Sequence, residues 1–250
     1  MFWYCAAVLG QLLFAVYVVG FYGRTALQGK PEAWNKVLSP GHVPGDTLGN
    51  LVLASHLAFA VVIIVGGALQ LVPQIRRKWP AFHHWNGRVF LLSASIASIG
   101  GLIMIWTRKT GGDFSQHIAI SLNALLILGF AGMTLRHAMA RRIAVHRRYA
   151  LRLFLVVSGG WFFRVGLMLW IVANQGPVGF DPKTFTGPFL IFLAFAQYLF
   201  PLAVLELYFL AQDRRDPRGQ LAMAGGLVVL TLAMSAGIAA AAAIMWLPHL

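Results

Sequence analysis

Long apolar segments alternate with short polar turns along almost the whole chain. Seven segments are each long enough, at about 1.5 Å per helical residue, to cross about 30 Å of hydrocarbon. They lie at about residues 2–22, 50–72, 80–107, 114–136, 147–173, 187–210 and 220–247. No basic residue precedes the first segment, which favours a membrane helix over a cleaved signal. The pattern predicts an all-α polytopic membrane helix bundle with seven transmembrane helices, forming one domain over residues 1–250.

The composition supports a membrane protein and excludes a soluble globular one. The chain is 59% hydrophobic and 11% charged, whereas a soluble domain averages about 45–50% apolar and about 25% charged residues. Cys5 is the single cysteine, so the chain has no disulfide framework and no C-x-x-C-H site for a c-type haem. The HExxH, GxSxG and P-loop motifs are also absent from the sequence, which leaves hydrolytic chemistry without its usual residues.

Basic residues concentrate in the turns at one end of the predicted bundle. The richer side has Arg76, Arg77, Lys78, Arg88, Arg136, Arg141, Arg142, Arg147, Arg148, Arg152, Arg214, Arg215 and Arg218, and the other has Arg24, Lys30, Lys36, Arg108, Lys109 and Lys183. The positive-inside rule then places the richer side and the N-terminus in the cytoplasm, and the C-terminus outside. The net charge of +13 follows from this topology and requires no nucleic-acid partner.

Two similar units follow one another between residues 50 and 173, and they predict a four-helix core. Each unit has a histidine near the start of an apolar run, then a basic turn with more histidines, then a second apolar run. An outer loop at about residues 23–49 precedes this core. It contains Pro31, Pro40 and Pro44 and no strand-like alternation, so we interpret it as a lid or a tether.

Four histidines are the first candidates for chemistry. His56 lies about two turns into the second predicted span and His117 in the first turn of the fourth, at similar depth on the outer side. His84, or its neighbour His83, opens the third span and His146 opens the fifth, both on the inner side. Two pairs on alternate helices, roughly 20–25 Å apart in depth, would hold two b-type haems by axial imidazoles.

Two further residues agree with a haem protein. Gly67 lies three helical turns after His56 on nearly the same face, where a missing side chain would let a flat macrocycle approach. Arg164 lies five turns after His146 at outer depth, where its donors would meet a carboxylate or a haem propionate. The sequence thus predicts a transmembrane electron carrier with one or two haem b groups and, if it is an enzyme, a haem-dependent transmembrane oxidoreductase.

A simpler interpretation of the same residues stays open. His83, His84, His137 and His146 lie beside arginines at the predicted cytoplasmic face, where they would form a cationic belt that contacts anionic lipid head groups. Arg164 could bond to carbonyls of a neighbouring helix. The alternative function is therefore a non-enzymatic membrane bundle: a small-molecule or lipid transporter, or an accessory subunit of a larger membrane complex.

The basic turns also carry a resemblance to a known family. His56, Gln70, the turn RRKWPAFHHWNGR at residues 76–88 and the turn HRRYALR at residues 146–152 resemble the bacterial predicted membrane proteins called domain of unknown function 2306. The matching turn positions are Arg77, Pro80, His83 or His84, Gly87, Arg88, His146, Arg147, Arg148 and Arg152. The resemblance covers about residues 50–170. It implies a bacterial membrane protein, expected in the inner membrane, and no particular activity.

More distantly, the order of the histidines on four successive spans is similar to that of cytochrome b561 proteins. That family passes electrons across membranes through two haems. The resemblance implies a quinol or another electron donor as a partner of this chain.

Overall fold

The computed structural model describes residues 2–38, 40–108, 112–214 and 216–250. The α-helices of these residues are α1 Phe2–Tyr17, α2 Arg24–Leu27, α3 Thr47–Leu71, α4 Pro73–Lys78, α5 Pro80–Thr107, α6 Phe114–Met139, α7 Ile143–Val157, α8 Gly159–Ala173, α9 Pro188–Arg214 and α10 Pro217–Ala241. A π-helical segment, Val18–Gly23, joins α1 to α2, and another, Ala242–Trp246, extends α10. Short 3-10 helices cover Pro31–Lys36 and Leu247–His249.

Six helical stretches are long and apolar enough to cross a membrane, and the pair α7–α8 forms a seventh if it is counted as one span. The predicted all-α membrane bundle is therefore confirmed. The fifth span differs from the prediction, because α7 and α8 are bent by 51° where a continuous helix was expected. The orientation across the membrane stays a prediction, and two of the basic residues counted for it, Lys109 and Arg215, lie outside the described residues.

Aspartate caps set the beginnings of three spans. The side chain of Asp46 accepts a hydrogen bond from the Gly49 N–H, and Asp113 and Asp216 cap α6 and α10 in the same way. An N-cap carboxylate satisfies a backbone donor that the first helical turn leaves free. Because Asp46 supplies this cap, α3 begins at Thr47, three residues before the predicted start of the span.

The spans pack side by side into a closed ring. α3 packs against α5, α5 packs against α6, and α6 packs against α7. α9 contacts α6, α7 and α8. α10 packs against both α8 and α1, and α1 contacts α3, which closes the ring. Because successive spans alternate in direction, α4 and the turns near residues 141 and 215 share one end, the basic end. The opposite end, the loop end, has residues 28–46 and 174–187. A separate four-helix core over residues 50–173 stays a prediction, since α9 also packs against these helices.

The apolar core divides into two clusters at different depths. The larger cluster, which includes Trp161 and Leu190, lies in the half of the bundle nearer the loop end. The smaller cluster, which includes Leu153 and Tyr198, lies in the half nearer the basic end. The bend between α7 and α8 at Ser158 lies between them. The bend therefore interrupts the apolar packing near the middle of the bundle.

Glycine lets the last span approach α8 closely, as small residues do at contacts between membrane helices. A side-chain carbon added at Gly237 would lie 2.7 Å from the backbone oxygen of Val165. Farther toward the basic end of α10, Gly225 and Gly226 have no neighbouring atom within 4 Å of such a carbon. Close helix contact is thus local to Gly237.

The predicted outer loop begins later than expected, because the first helix continues to Leu27. Trp34 is buried, and its Nε1 donates to Thr25 Oγ1 at 2.9 Å. The guanidinium of Arg108 donates to the carbonyl oxygens of Gly41 at 2.8 Å and Gly49 at 2.9 Å. These contacts hold the loop against the loop end of the bundle; whether it acts as a lid or a tether stays a prediction.

Candidate functional site

His56 is oriented by a neighbouring helix. Its Nδ1 lies 3.1 Å from the backbone oxygen of Ala97 on α5. Because a carbonyl oxygen only accepts hydrogen bonds, Nδ1 carries the proton and Nε2 is the free acceptor. Gly101 of α5 lies beside the ring, since a side-chain carbon there would be in ordinary contact with His56 Cε1 at 3.7 Å. This tautomer is the one in which an imidazole can bind a metal through Nε2.

His117 is buried near the loop end of α6, with 9% of its surface exposed. Its Nε2 has no hydrogen-bond partner among the described residues. The Trp106 ring of α5 packs edge-on against it, with the two ring centroids 5.8 Å apart. Trp106 follows Ala97 by nine residues, which places the two on opposite sides of α5. His56 contacts Ala97 and His117 contacts Trp106, so the two histidines contact opposite sides of that helix. Their predicted pairing stays a prediction.

The histidines at the basic end differ in exposure. His146 is oriented like His56, because its Nδ1 lies 3.0 Å from the backbone oxygen of Thr134. His84 is exposed, whereas His83 is half-buried and its Nδ1 has no partner in the described parts of the chain. His83 also lies close enough to His146 for the two rings to interact electrostatically. Of the two neighbours that the sequence left open, His83 is the one near the bundle interior.

Two amides of the first basic turn hold α3 against α5. Gln70 Nε2 donates to the backbone oxygen of His83 at 2.8 Å, and Asn86 Nδ2 donates to that of Gly66 at 2.9 Å. Both bonds give a partner to a side-chain amide inside the bundle, where an unpaired polar group is costly. The turn that carries the family resemblance thus has a structural role besides its histidines.

Gly67 makes room for aromatic rings from two other helices. A side-chain carbon at Gly67 would lie 3.0 Å from Phe90 Cε2 and 3.4 Å from Phe154 Cδ2. The space that was predicted for a macrocycle is therefore covered by side chains of α5 and α7. The missing side chain permits close packing here.

Arg164 is a half-buried cation within a membrane span. Its Nη1 donates to the backbone oxygen of Gly160 at 2.7 Å, and its Cζ lies 5.2 Å from the centre of the Phe14 ring. It is near enough to His56 to interact with it electrostatically. In the described part of the chain, no carboxylate forms an ion pair with Arg164. An anionic group bound beside it would therefore be stabilised.

The carboxylates of α9 already have partners on α7. Glu206 accepts two hydrogen bonds from Arg152, at 2.6 Å and 2.8 Å, and Asp213 pairs with Arg148. Paired fork-to-carboxylate contacts of this kind are among the stronger ion pairs. These acidic groups therefore tie two helices together and are not available to Arg164.

Four polar side chains that we did not predict as a site meet at the bend between α7 and α8. Gln11 Nε2 donates to Ser158 Oγ at 2.9 Å, and Ser158 Oγ donates to the Phe154 carbonyl at 2.7 Å. A side-chain carbon at Gly159 would lie 2.9 Å from Asn123 Nδ2 and 3.5 Å from Gln197 Oε1. We call Gln11, Asn123, Ser158 and Gln197 the mid-span polar layer.

The mid-span polar layer lies deep in the bundle. Gln11, Asn123 and Gln197 each lie nine residues after the start of a span, about 14 Å along the helix axis and near the middle of the bilayer. Gln11 Oε1 and Asn123 Oδ1 are buried without a partner among the described residues. Unpaired buried acceptors are rare and require an explanation such as bound water or a ligand. The signal in the sequence was an amide near the middle of each of three apolar runs.

One surface depression lies between α9 and α10 and another around α4, and no histidine is among the lining residues of either. Among the described residues, no group of three His, Cys, Asp or Glu side chains could hold a metal ion.

The helical ring, with its apolar spans and interior polar groups, defines a polytopic integral membrane protein. The model of the predicted membrane protein family DUF2306 matches residues 53–200, more than half of the chain, and the protein belongs to that family. The match includes His56, the histidine-bearing turns, Arg164 and the bend at Ser158. A search of curated proteins found no match. A search of solved structures also found none.

Proposed function

We propose that this protein carries electrons across a membrane through b-type haem bound by interior histidines. The observation that supports the proposal best is the common orientation of His56 and His146. Each donates from Nδ1 to a backbone carbonyl of a neighbouring helix and keeps Nε2 free. Bonds of this kind typically orient metal-binding imidazoles. The two bonds lie at different levels of the bundle, because His56 is nine residues into α3 and His146 is in the first turn of α7.

The remaining ligands follow from burial. The partner proposed for His56 is His117, whose buried Nε2 has no partner in the described structure. The partner proposed for His146 is His83, which replaces the exposed His84. When bound, haem supplies one-electron oxidation and reduction. The residues of this chain would hold it, and Arg164 would offset the charge of a propionate at the outer site.

The outer haem site places a stricter requirement on the geometry than the inner one. One iron can be ligated by both His56 and His117 only if both rings reach the same space beside α5. Their present contacts lie on opposite sides of that helix. The number of haems per chain therefore tests the outer site separately from the inner one.

The decisive measurement is the visible spectrum of the purified protein after expression with haem supplied. We expect a Soret band and, after reduction with dithionite, b-type α bands. His146→Ala and His83→Ala should each remove the inner haem, and His56→Ala the outer one, as measured by the haem-to-protein ratio. His84→Ala is the matched control and should leave the ratio unchanged. A colourless wild-type protein would refute the proposal.

Location and donor belong to the same proposal. The protein would lie in the inner membrane of a bacterium with its basic end in the cytoplasm, where thirteen of its basic residues were assigned. A quinol or a protein donor would reduce the haem at one face. Reconstitution into vesicles that enclose an oxidised dye tests electron transfer across the membrane. A reductant added outside should bleach the dye only when the haem-loaded protein is present.

A second function, the passage of a small uncharged polar molecule, is favoured by the mid-span polar layer. Bent or broken spans with polar groups at mid-membrane depth are common at transporter binding sites. Stopped-flow light scattering of protein-containing vesicles, with urea and glycerol as probes, would detect such passage. Asn123→Leu should slow it, and the exposed Gln220→Leu should not. Rates equal to those of protein-free vesicles would exclude this function for both probes.

A further inference from the structure

A groove at the basic end has apolar walls and a cation at its edge. It is formed where α3 ends, α4 lies across the end of the bundle and α5 begins. Its lining residues are Leu69, Ile75, Lys78, Trp79, Pro80, Ala81 and Phe82. No histidine lines the groove, although His83 directly follows Phe82, and the groove does not include the mid-span polar layer.

Two prolines give this segment its shape. Pro73 and Pro80 occupy first-turn positions of α4 and α5, and the residues before them, Val72 and Trp79, leave the helical conformation. The chain therefore makes two elbows, with a helix of six residues between them. No residue of α4 is buried. The segment thus presents its side chains outward at the end of two membrane spans.

The exposed side chains around the groove are those expected at the boundary between hydrocarbon and water. Trp79, Phe82 and Trp85 are all exposed, Trp79 by 62%. Indole rings concentrate at this boundary, because they are apolar with one polar edge. Leu69 continues the apolar wall into the transmembrane part of α3. One end of the groove therefore faces lipid chains and the other faces head groups.

The charge at the head-group end is positive and unpaired. Arg76, Arg77 and Lys78 form the last turn of α4. The ion pairs found at the basic end involve Arg148 and Arg152 of α7, and in the described residues none involves α4. These three cations are therefore free to bind an anion.

We propose that the groove binds one anionic phospholipid. An acyl chain packs along Leu69, Ile75 and Phe82, and the phosphate group pairs with Lys78 and the arginines beside it. The apolar walls alone would accept any lipid, whereas the three free cations select a negatively charged head group. No histidine lines the groove, so lipid binding can be measured apart from haem content.

Native mass spectrometry of the detergent-solubilised protein, titrated with phosphatidylglycerol, tests the site. Two variants change different parts of the groove. Lys78→Gln removes one charge and should weaken the tightest binding step by about fivefold. Ala81→Trp fills the groove and should abolish that step; Ala81 is exposed, so the fold should tolerate the larger ring.

Each variant has a matched control elsewhere on the surface. Lys183→Gln removes an exposed charge at the loop end, and Ala222→Trp adds an indole to an exposed position of α10. Neither should change the tightest binding step, and phosphatidylcholine should bind the wild-type protein at least fivefold more weakly than phosphatidylglycerol. Equal binding of the two lipids, or equal losses in Ala81→Trp and Ala222→Trp, would overturn the proposal in favour of unspecific lipid contact.

Discussion

Close packing of α10 against α8 makes a quantitative prediction about Gly237. The substitution Gly237→Ala would place a side-chain carbon 2.7 Å from the backbone oxygen of Val165. A carbon and an oxygen in ordinary contact are farther apart, and a backbone atom cannot rotate out of the way as a side chain can. The two helices must therefore separate, or the substitution must distort α8.

The magnitude is best expressed relative to a control on the same helix. Gly225→Ala gains the same helix propensity, about 1 kcal/mol, but meets no atom within 4 Å. The propensity gain cancels between the two variants. The difference is the cost of overpacking, about 1–3 kcal/mol. For a chain of this size the melting temperature changes by about 2–4 °C per kcal/mol, so Gly237→Ala should melt about 2–12 °C below Gly225→Ala.

Thermal unfolding in one detergent, followed by tryptophan fluorescence, measures this difference. Gly225→Ala should melt at or slightly above the wild-type temperature. If Gly237→Ala melts as high as Gly225→Ala, the two helices do not approach as closely as described here. The reasoning from the glycine contacts would then be refuted.

Three further predictions concern the ends of the bundle. Arg152→Gln and Glu206→Gln should each lower the melting temperature by about 2–4 °C. The double variant should be no less stable than either single variant, because each single variant already removes the same ion pair. Arg108→Ala should release residues 40–49 and speed their cleavage by added protease several-fold, whereas Arg24→Ala, which has no such contacts among the described residues, should not. A C-terminal alkaline phosphatase fusion should be active, since the basic-residue count places the C-terminus outside the cytoplasm. The prediction is contradicted if that fusion is inactive and a second fusion, with a reporter that fluoresces only in the cytoplasm, is fluorescent.

The helical fold could be predicted from the sequence because length and hydropathy nearly determine a membrane span. A spanning helix must satisfy its own backbone groups, so an apolar run of sufficient length has few alternatives. The boundaries were less accurate. Asp46 extends the second span beyond its apolar run, and the first helix continues past Gly23 to Leu27 through a π-helical turn. Caps and local hydrogen bonds determine where a helix begins and ends, and a hydropathy profile does not detect them.

The bend in the fifth span was missed although its residues are visible in the sequence. Ser158, Gly159 and Gly160 interrupt an apolar run, which in a soluble helix would suggest a break. In membrane spans, glycine and serine also occur within straight helices and at their contacts, so the pattern is ambiguous there. Gln11 and Asn123 lie beside the bend, but they belong to other spans and are brought there only by the fold.

Residue counts could predict which helix carries each histidine, but not the direction of each side chain. One residue turns a helical position by about 100°, enough to separate the half-buried His83 from the exposed His84. The same limit applies to Gly67, which faces the interior as expected but meets Phe90 and Phe154. Rotation of a helix about its axis depends on packing against all its neighbours, which a single apolar run does not specify.

The proposed outer haem would supply an anion that Arg164 lacks among the described residues. Placing a cation within a span costs about 2.5–3.5 kcal/mol or more, and its carbonyl and aromatic contacts offset only part of this. Lipid head groups are poorly placed to supply the anion, because Arg164 Cζ lies 5.2 Å from the centre of the ring of the buried Phe14. A ligand that brings a carboxylate into the bundle beside His56 would supply it. Haem has two such groups at one edge, so one molecule could occupy the imidazole and the guanidinium together.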